Sequence, residues 1–196
     1  MTAFRELGLS PQIQQALDEL GYEEPTPIQD QAIPELLAGH DVIGQAQTGT
    51  GKTAAFGLPL LQYLDPSSDE VQAVVLTPTR ELCIQVTQAL RAYAEHLEIE
   101  IVAVFGGAPI KSQQAQLRAG AHVVVATVGR MMDLMNRGAL QLSSARYIVL
   151  DEADEMLDLG FIEDVEKILR MCPSGRQTAL FSATMPPPIK HLAESQ

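Results

Sequence analysis

The sequence predicts an α/β fold in which a mostly parallel central sheet carries helices on both faces. Three observations lead there. Apolar, β-branched segments alternate with helical ones along the chain, the signature of strands joined by crossover helices. Those apolar segments are continuous runs, not every-other-residue patterns, as a sheet covered on both sides requires. Finally, Ala46-Gln47-Thr48-Gly49-Thr50-Gly51-Lys52-Thr53 lies between the apolar Val42-Ile43 and the helix-favouring Ala54-Ala55-Phe56. Strand, glycine-rich turn and helix in that order is how parallel sheets hold polyphosphates.

Residues 1–40 precede the sheet and form two short helices packed on it. Ser10 can cap the first, Pro11 suits its opening position, Ile13, Ala16, Leu17 and Leu20 recur at helical spacing, and Gly21 is a natural stop. The second begins at Thr26-Pro27, is expected to bend or break at Pro34, and ends before Gly39. Residues 41–196 form the nucleotide-binding domain itself. Strands are expected over residues 41–45, 71–77, 100–105, 122–126, 147–150 and 178–182, with helices over 53–63, 80–97, 111–119, 129–136, 162–171 and 187–193. The stretch Asp65-Pro66-Ser67-Ser68-Asp69-Glu70 has the composition of a polar surface loop.

A chain of 196 residues, 46% of them hydrophobic, can bury roughly 70% of its unfolded surface around one core. No apolar run reaches the ~18 residues that cross a bilayer, and the first residues hold no signal-peptide core. The expectation is a soluble, cytoplasmic, monomeric domain with no membrane partner. Cys83 and Cys172 lack metal-ligand or redox spacing and are expected in the core, and the four histidines are scattered. No metal is assigned to either set. A net charge of -12 argues against coating nucleic acid through bulk electrostatics. A small, salt-sensitive site remains open, because screening over about 8 Å isolates a local basic groove from distant carboxylates.

Gly49 and Gly51 let the backbone curl around phosphate oxygens, Lys52 adds a full charge at the β/γ-phosphates, and Thr53 is spaced to offer its hydroxyl to Mg2+. The bland alternative is a glycine turn capping a helix. Lys52 is expected to serve a phosphate and not the core. The general pattern GxxxxGK[ST] wants glycine where this chain has Ala46. Hydrolysis also needs acids to hold the metal and orient water, and Asp151-Glu152 follows the apolar strand Tyr147-Ile148-Val149-Leu150, at the strand end where ligands gather. Two acids opening a helix near Glu155, worth only ~0.3 to 1 kcal/mol through its dipole, are the competing explanation.

Asp151-Glu152-Ala153-Asp154 spells DEAD, and over nearly its whole length the chain resembles the amino-terminal RecA-like domain of a DEAD-box ATP-dependent RNA helicase of bacterial type. Ala46 to Thr53 is similar to the family's form of the phosphate loop, AxTGxGKT, which accounts for Ala46. Gly21-Tyr22 with Pro25-Thr26-Pro27-Ile28-Gln29 resembles the adenine-reading Q motif, and Phe4 stands at the family's upstream spacing. Pro78-Thr79-Arg80-Glu81-Leu82, Gly106-Gly107 and Thr127-Val128-Gly129-Arg130 resemble the RNA-contacting motifs, with Val128 where the family has proline. Ser182-Ala183-Thr184 is similar to the motif that couples ATP state to RNA handling.

The resemblance implies ATP and Mg2+ as cofactors, with Lys52, Asp151 and Glu152 catalytic, Tyr22, Thr26, Gln29, Gln47, Thr48, Gly49, Thr50, Gly51, Lys52 and Thr53 around the nucleotide, and Thr53 and Asp151 toward the metal, partly through water. RNA contacts fall to Pro78, Thr79, Arg80, Gly106, Gly107, Thr127, Gly129 and Arg130, and coupling to Asp154, Ser182 and Thr184. Several have ordinary alternatives. Gln29 and Thr26 also form a capping box, although a carboxamide can pair with the adenine edge as well. Tyr22 can stack on a base or simply pack. Arg80 and Arg130 can be solvated charges near helix starts, or grip successive phosphates together with the amides of Gly107 and Gly129.

The family's machine hydrolyses ATP between two RecA-like domains, the second supplying arginine fingers. None of the second domain's motifs occurs before Gln196. The chain is therefore expected to be an amino-terminal domain that binds adenine nucleotide, with little ATPase and no unwinding by itself. A nucleotide-gated RNA clamp shares every motif, and a P-loop ATPase acting on DNA or protein is disfavoured by Gln29 together with the DEAD tetrad.

Overall fold

The computed structural model describes residues 3–47 and 49–195. Among them, six strands form one sheet: β1 (Val42–Gln45), β2 (Ala73–Thr77), β3 (Ile101–Val104), β4 (Val123–Thr127), β5 (Tyr147–Asp151) and β6 (Gln177–Ser182). Their spatial order is β1-β6-β5-β2-β4-β3, and every neighbouring pair is parallel. The helices are α1 (Pro11–Glu19), α2 (Pro27–Leu37), α3 (Lys52–Tyr63), α4 (Arg80–Tyr93), α5 (Ile110–Ala119), α6 (Val128–Asn136), α7 (Ala153–Asp158), α8 (Ile162–Met171) and α9 (Pro187–Ser195). A short 3-10 turn, Phe4–Glu6, precedes them. None is long and apolar enough to cross a membrane.

The strands split their side chains between two cores, because successive residues of a strand point to opposite faces. Ala73, Val75, Val123, Val125, Tyr147, Val149, Ala179 and Phe181 join α1 to α4 on one face. Val74, Leu76, Val124, Ala126, Ile148, Leu150 and Leu180 join residues of α6, α7, α8 and α9 on the other. Both sides are apolar, so β2 and β5 are buried at every position. Cys83 and Cys172 are buried thiols, and burial pushes each up to about 11. Of the methionines of α6, Met131 is fully buried while Met132 and Met135 are half-buried against the second core.

Two expectations about helices need correction. Pro34 does not break α2, which runs on to Leu37 and ends before Gly39 as expected. The proline removes one backbone donor, whereas burial of Ala32, Ile33 and Leu36 holds that turn on the core. Conversely, α4 stops at Tyr93, short of residue 97. The segment continues only as turns, with Leu97 N bonded to Ala94 O.

The amino-terminal segment is fastened to the sheet's helical layer by side chains. Phe4 is buried and packs on Tyr22, with ring centroids 5.9 Å apart. The Tyr22 and Tyr93 hydroxyls lie 3.2 Å apart, and Gln62 of α3 accepts from Ser10 N and donates to Gly8 O. Ser10 caps α1 by accepting from Ile13 N. His96 Nε2 and Glu19 Oε1 make a further close polar contact.

Close packing also fixes one glycine in β1. A β-carbon on Gly44 would stand 2.6 Å from Cε1 of Phe181, its registered neighbour on β6, and Phe181 is fully buried against Phe56. Gly44→Ala is expected to destabilise the domain by about 1–3 kcal/mol through overpacking, read as a lower thermal midpoint. Gly106→Ala, which meets nothing within 4 Å, serves as the control and should melt like the unsubstituted chain.

Candidate active site

The sheet order brings three strand ends together that are far apart in sequence. Gln45 closes β1 opposite Ser182 of β6, and Asp151 closes β5 opposite Phe181. After β1 the chain turns through Gly49 (φ 89°) and Gly51 (φ 83°), a left-handed conformation that glycine alone adopts without cost. Lys52 then opens α3.

The turn drops the Lys52 ammonium between two acids. Lys52 Nζ lies 3.0 Å from Asp151 Oδ1 and 3.4 Å from Glu152 Oε2. Lys52 is only 5% exposed and Asp151 is fully buried. Among the described residues no hydrogen bond of regular geometry reaches either Asp151 oxygen, so the ammonium, helped by the backbone of Glu152, compensates its charge. Burial raises the Asp151 carboxyl, Lys52 pulls it back and the Glu152 charge adds repulsion, which together leave it raised to about 6. Lys52 therefore serves the core as well as any phosphate, a correction to the sequence expectation, because a buried charge must be paired. Glu152 itself has φ 55°, alone among the described non-glycine residues in being positive. This strained turn ends β5 and starts α7, so the acid pair does open a helix while also facing Lys52.

Asp154 and the end of β6 are joined directly. Thr184 donates to Asp154 Oδ2 through its amide at 3.1 Å and its hydroxyl at 3.0 Å, and the Asp154 amide donates to Ser182 Oγ at 3.0 Å. Partial burial raises the Asp154 carboxyl, but these bonds outweigh it and hold the group below its ordinary value.

On the other side of the phosphate loop, Thr26 and Gln29 stand in capping-box relation at the start of α2. The Thr26 amide donates to Gln29 Oε1 at 2.9 Å, while Gln29 Nε2 donates to Gly51 O at 3.0 Å. Gln29 is buried, and a β-carbon on Gly51 would come within 2.4 Å of its Nε2. The capping role and a tie to the phosphate loop thus coexist in one carboxamide. A cavity of about 580 Å³ opens here, lined by Tyr22, Thr26, Gln29, Lys52 and Thr53 among others. Tyr22 is held in that wall by Phe4 and Tyr93. Gln47 and Thr50 line a neighbouring cavity of about 790 Å³, and Thr50 Oγ1 donates to Gln47 O. Thr48 lies outside the described residues.

The ends of β2, β4 and β3 collect the remaining predicted residues. Pro78, buried, and Thr79 follow β2, Gly106 and Gly107 lie beyond β3, and Thr127 ends β4 before Gly129 and Arg130. Thr79 caps α4, accepting from Leu82 N at 3.3 Å. The Arg80 guanidinium stands over the Phe105 ring at 5.0 Å, and Gly107, at φ 85°, lets it approach because a β-carbon there would be 2.9 Å from Arg80 Nη1. Arg130 Nη1 donates to Gln113 Oε1 at 2.8 Å and to Ala108 O at 3.2 Å. Val128 is fully buried at the first position of α6, so packing holds the turn that lacks the family's proline. Sequence reasoning missed Phe105 and Gln113. Their signal was a strand-end aromatic before Gly106-Gly107 and a glutamine on the covered side of α5, neither of which resembles a motif.

A glycine-rich loop between β1 and α3, facing acids at the end of β5 across β6, defines a RecA-like P-loop domain. The chain belongs to the DEAD/DEAH box helicase family, which matches residues 26–192. It is 53% identical over 194 residues to the DEAD-box ATP-dependent RNA helicase CshA of Bacillus cereus, covering 99% of this chain and 37% of that protein. It is 54% identical over 192 residues to the ATP-dependent RNA helicase DeaD of Escherichia coli, covering 97% of this chain and 30% of that protein. Among solved structures, a DEAD box protein from the hyperthermophile Methanococcus jannaschii superposes with a TM-score of 0.95 at 44% identity, over 99% of this chain and 53% of that one. The chain thus spans about a third of the length of these curated relatives and about half of the solved structure.

Removing one partner of a buried ion pair leaves the other charge uncompensated, which costs about 3–5 kcal/mol. Lys52→Met is therefore expected to lower the thermal midpoint of the nucleotide-free chain clearly. Adding Asp151→Leu in the same chain should restore most of that loss, since replacing both partners by apolar groups is close to neutral. A Lys52→Met chain that melts like the unsubstituted one would mean the pair carries no structural weight.

Proposed function

We propose that this chain binds ATP with Mg2+ and, in the whole protein, makes ATP hydrolysis drive local separation of RNA duplexes. The observation that carries the reading is the buried Lys52 and Asp151 pair, with half-buried Glu152 beside it, between the glycine loop and the DEAD turn. The family membership and the names of the relatives, ATP-dependent RNA helicases, support it.

The residues fit the cofactors. A polyphosphate would take the Lys52 ammonium from Asp151, and the amides of the loop between Gly49 and Lys52, with the start of α3, would complete the anion site. The Asp151 carboxylate, buried and without regular hydrogen-bond donors, then suits a divalent cation, as does the Thr53 hydroxyl. Bound there, Mg2+ would neutralise charge on the phosphates. Glu152 is the group placed to orient water, being half-buried and fixed by its left-handed turn. The carboxamide of Gln29 and the wall at Tyr22 would receive adenine, with Gln29 reporting the nucleotide to Gly51 through the bond it already makes.

Arg80, Arg130 and the amides of Gly107 and Gly129 would hold successive phosphates of an RNA strand, with Pro78, Thr79, Gly106 and Thr127 shaping that surface. Such contacts give affinity with little base preference. The Asp154, Ser182 and Thr184 joint would carry the state of the phosphate site to the end of β6. A second RecA-like domain as partner, and a cytoplasmic setting, complete the proposal, in keeping with the greater length of the relatives.

Equilibrium binding of Mg2+ with ATP or GTP tests the nucleotide half. ATP should bind more tightly, Lys52→Ala should remove measurable binding, and Gln29→Ala should narrow the gap between the two nucleotides while lowering stability by about 1 kcal/mol through the lost cap. Binding of ATP unaffected by Lys52→Ala would reject the phosphate site. In the whole protein, Thr184→Ala is expected to leave ATP binding near normal and to uncouple RNA-stimulated ATPase from strand separation. Equal loss of both would assign Thr184 to catalysis.

A further inference from the structure

One buried polar side chain near the basic surface belongs to none of the motifs. Gln113 is the buried residue of α5, 3% exposed, and both ends of its carboxamide are in use. Its Nε2 donates to Phe105 O at 3.0 Å, and its Oε1 accepts from Arg130 Nη1 at 2.8 Å. Phe105 is the residue whose ring lies beneath the Arg80 guanidinium, and Ala108, two residues beyond Gly106, takes the other Arg130 Nη1 bond. A single amide therefore joins the loop after β3, helix α5 and helix α6.

We propose that Gln113 is a positioning residue for RNA binding: it locks the Phe105–Ala108 loop to Arg130 so that the Arg80 and Arg130 charges are held in fixed relation. The proposal rests on the reading of Arg130 as a phosphate contact. A guanidinium has five N–H donors, and spending those of Nη1 on Gln113 and Ala108 fixes its plane while leaving Nη2 and Nε for a phosphate, which a planar fork grips well. Glutamine is the side chain that does this. A carboxamide donates and accepts at once, whereas glutamate cannot donate to Phe105 O and would neutralise Arg130, and methionine, of similar length, can do neither. Held in this way, the arginines enter the complex with little ordering left to do, and preorganisation raises affinity by lowering that cost.

The test compares Gln113→Met, Gln113→Glu, Arg130→Ala and the Gln113→Met/Arg130→Ala double variant, using fluorescence anisotropy with a labelled single-stranded oligouridine at low salt. Gln113→Met should weaken binding roughly tenfold to a hundredfold, the scale of a hydrogen bond to a charged group. It should also lower the slope of log K against log salt by up to about 0.7, the share of one phosphate contact on a single strand. The double variant should bind no more weakly than Arg130→Ala alone, and ATP binding should be unchanged in Gln113→Met and Gln113→Glu. Gln113→Met with normal RNA affinity, or a loss that simply adds to that of Arg130→Ala, overturns the proposal.

The Arg130 Nε–H resonance of the labelled chain gives a second readout that needs no RNA. It should be resolved in the unsubstituted chain and in Gln113→Glu, and averaged in Gln113→Met. Gln113→Glu should nevertheless lose RNA affinity, because its charge cancels that of Arg130, whereas a merely structural role would make affinity follow the melting temperature in every variant. If Arg130→Ala leaves RNA binding intact, the phosphate reading of Arg130 fails and takes the RNA role of Gln113 with it. An Arg130 resonance unmoved by Gln113→Met would instead defeat the positioning itself.

Discussion

The arrangement of this molecule turns on one buried ion pair, Lys52 with Asp151. Both side chains are almost wholly withdrawn from water, where neither charge could persist alone. The pair has to form across the sheet, since Lys52 starts the helix after β1 whereas Asp151 ends β5. It forms because β6 lies between β1 and β5 and pairs in parallel register with both, so that all three strands finish at one edge. The cluster of Lys52, Asp151 and Glu152 is assembled by the fold itself. Among the described residues, Lys52 is the cation paired with Asp151.

Around the pair, close backbone approaches convert separate motifs into one connected body. Gln29 can reach the carbonyl of Gly51 because no β-carbon stands in the way. Glu152 accepts a left-handed backbone so that β5 can give way at once to α7, and the first turn of α7 is then received by Ser182 and Thr184. From α2 through the glycine-rich loop to β6, hydrogen bonds and ion pairs join segments that the chain itself connects only at Gly51-Lys52 and Glu152–Asp154.

The other half of the sheet edge has a different electrical character. At the ends of β2, β4 and β3 stand Arg80 and Arg130, held by an aromatic ring and a buried amide, while the chain as a whole carries a charge of -12. Screening over about 8 Å at physiological salt makes the local charges decisive. The division follows from the strand order, in which β5 and β2 adjoin and separate the acidic cluster from the basic one.

The sequence by itself determined the fold class, the approximate position of each strand, the glycine-rich turn between β1 and α3, and the acidic tetrad at the end of β5. Those depend on short-range features: apolar runs, glycine at the turn, and Asp151-Glu152 directly after a strand. Pro34 misled because a local rule about proline does not know that Ala32, Ile33 and Leu36 are buried beneath it. Tertiary structure alone decided the strand order, the pairing of Lys52 with Asp151, the double duty of Gln29 and the bridging by Gln113. Each of these joins residues well separated along the chain, and burial sets their strength. Burial is a property of the packed whole, so no window of sequence contains it.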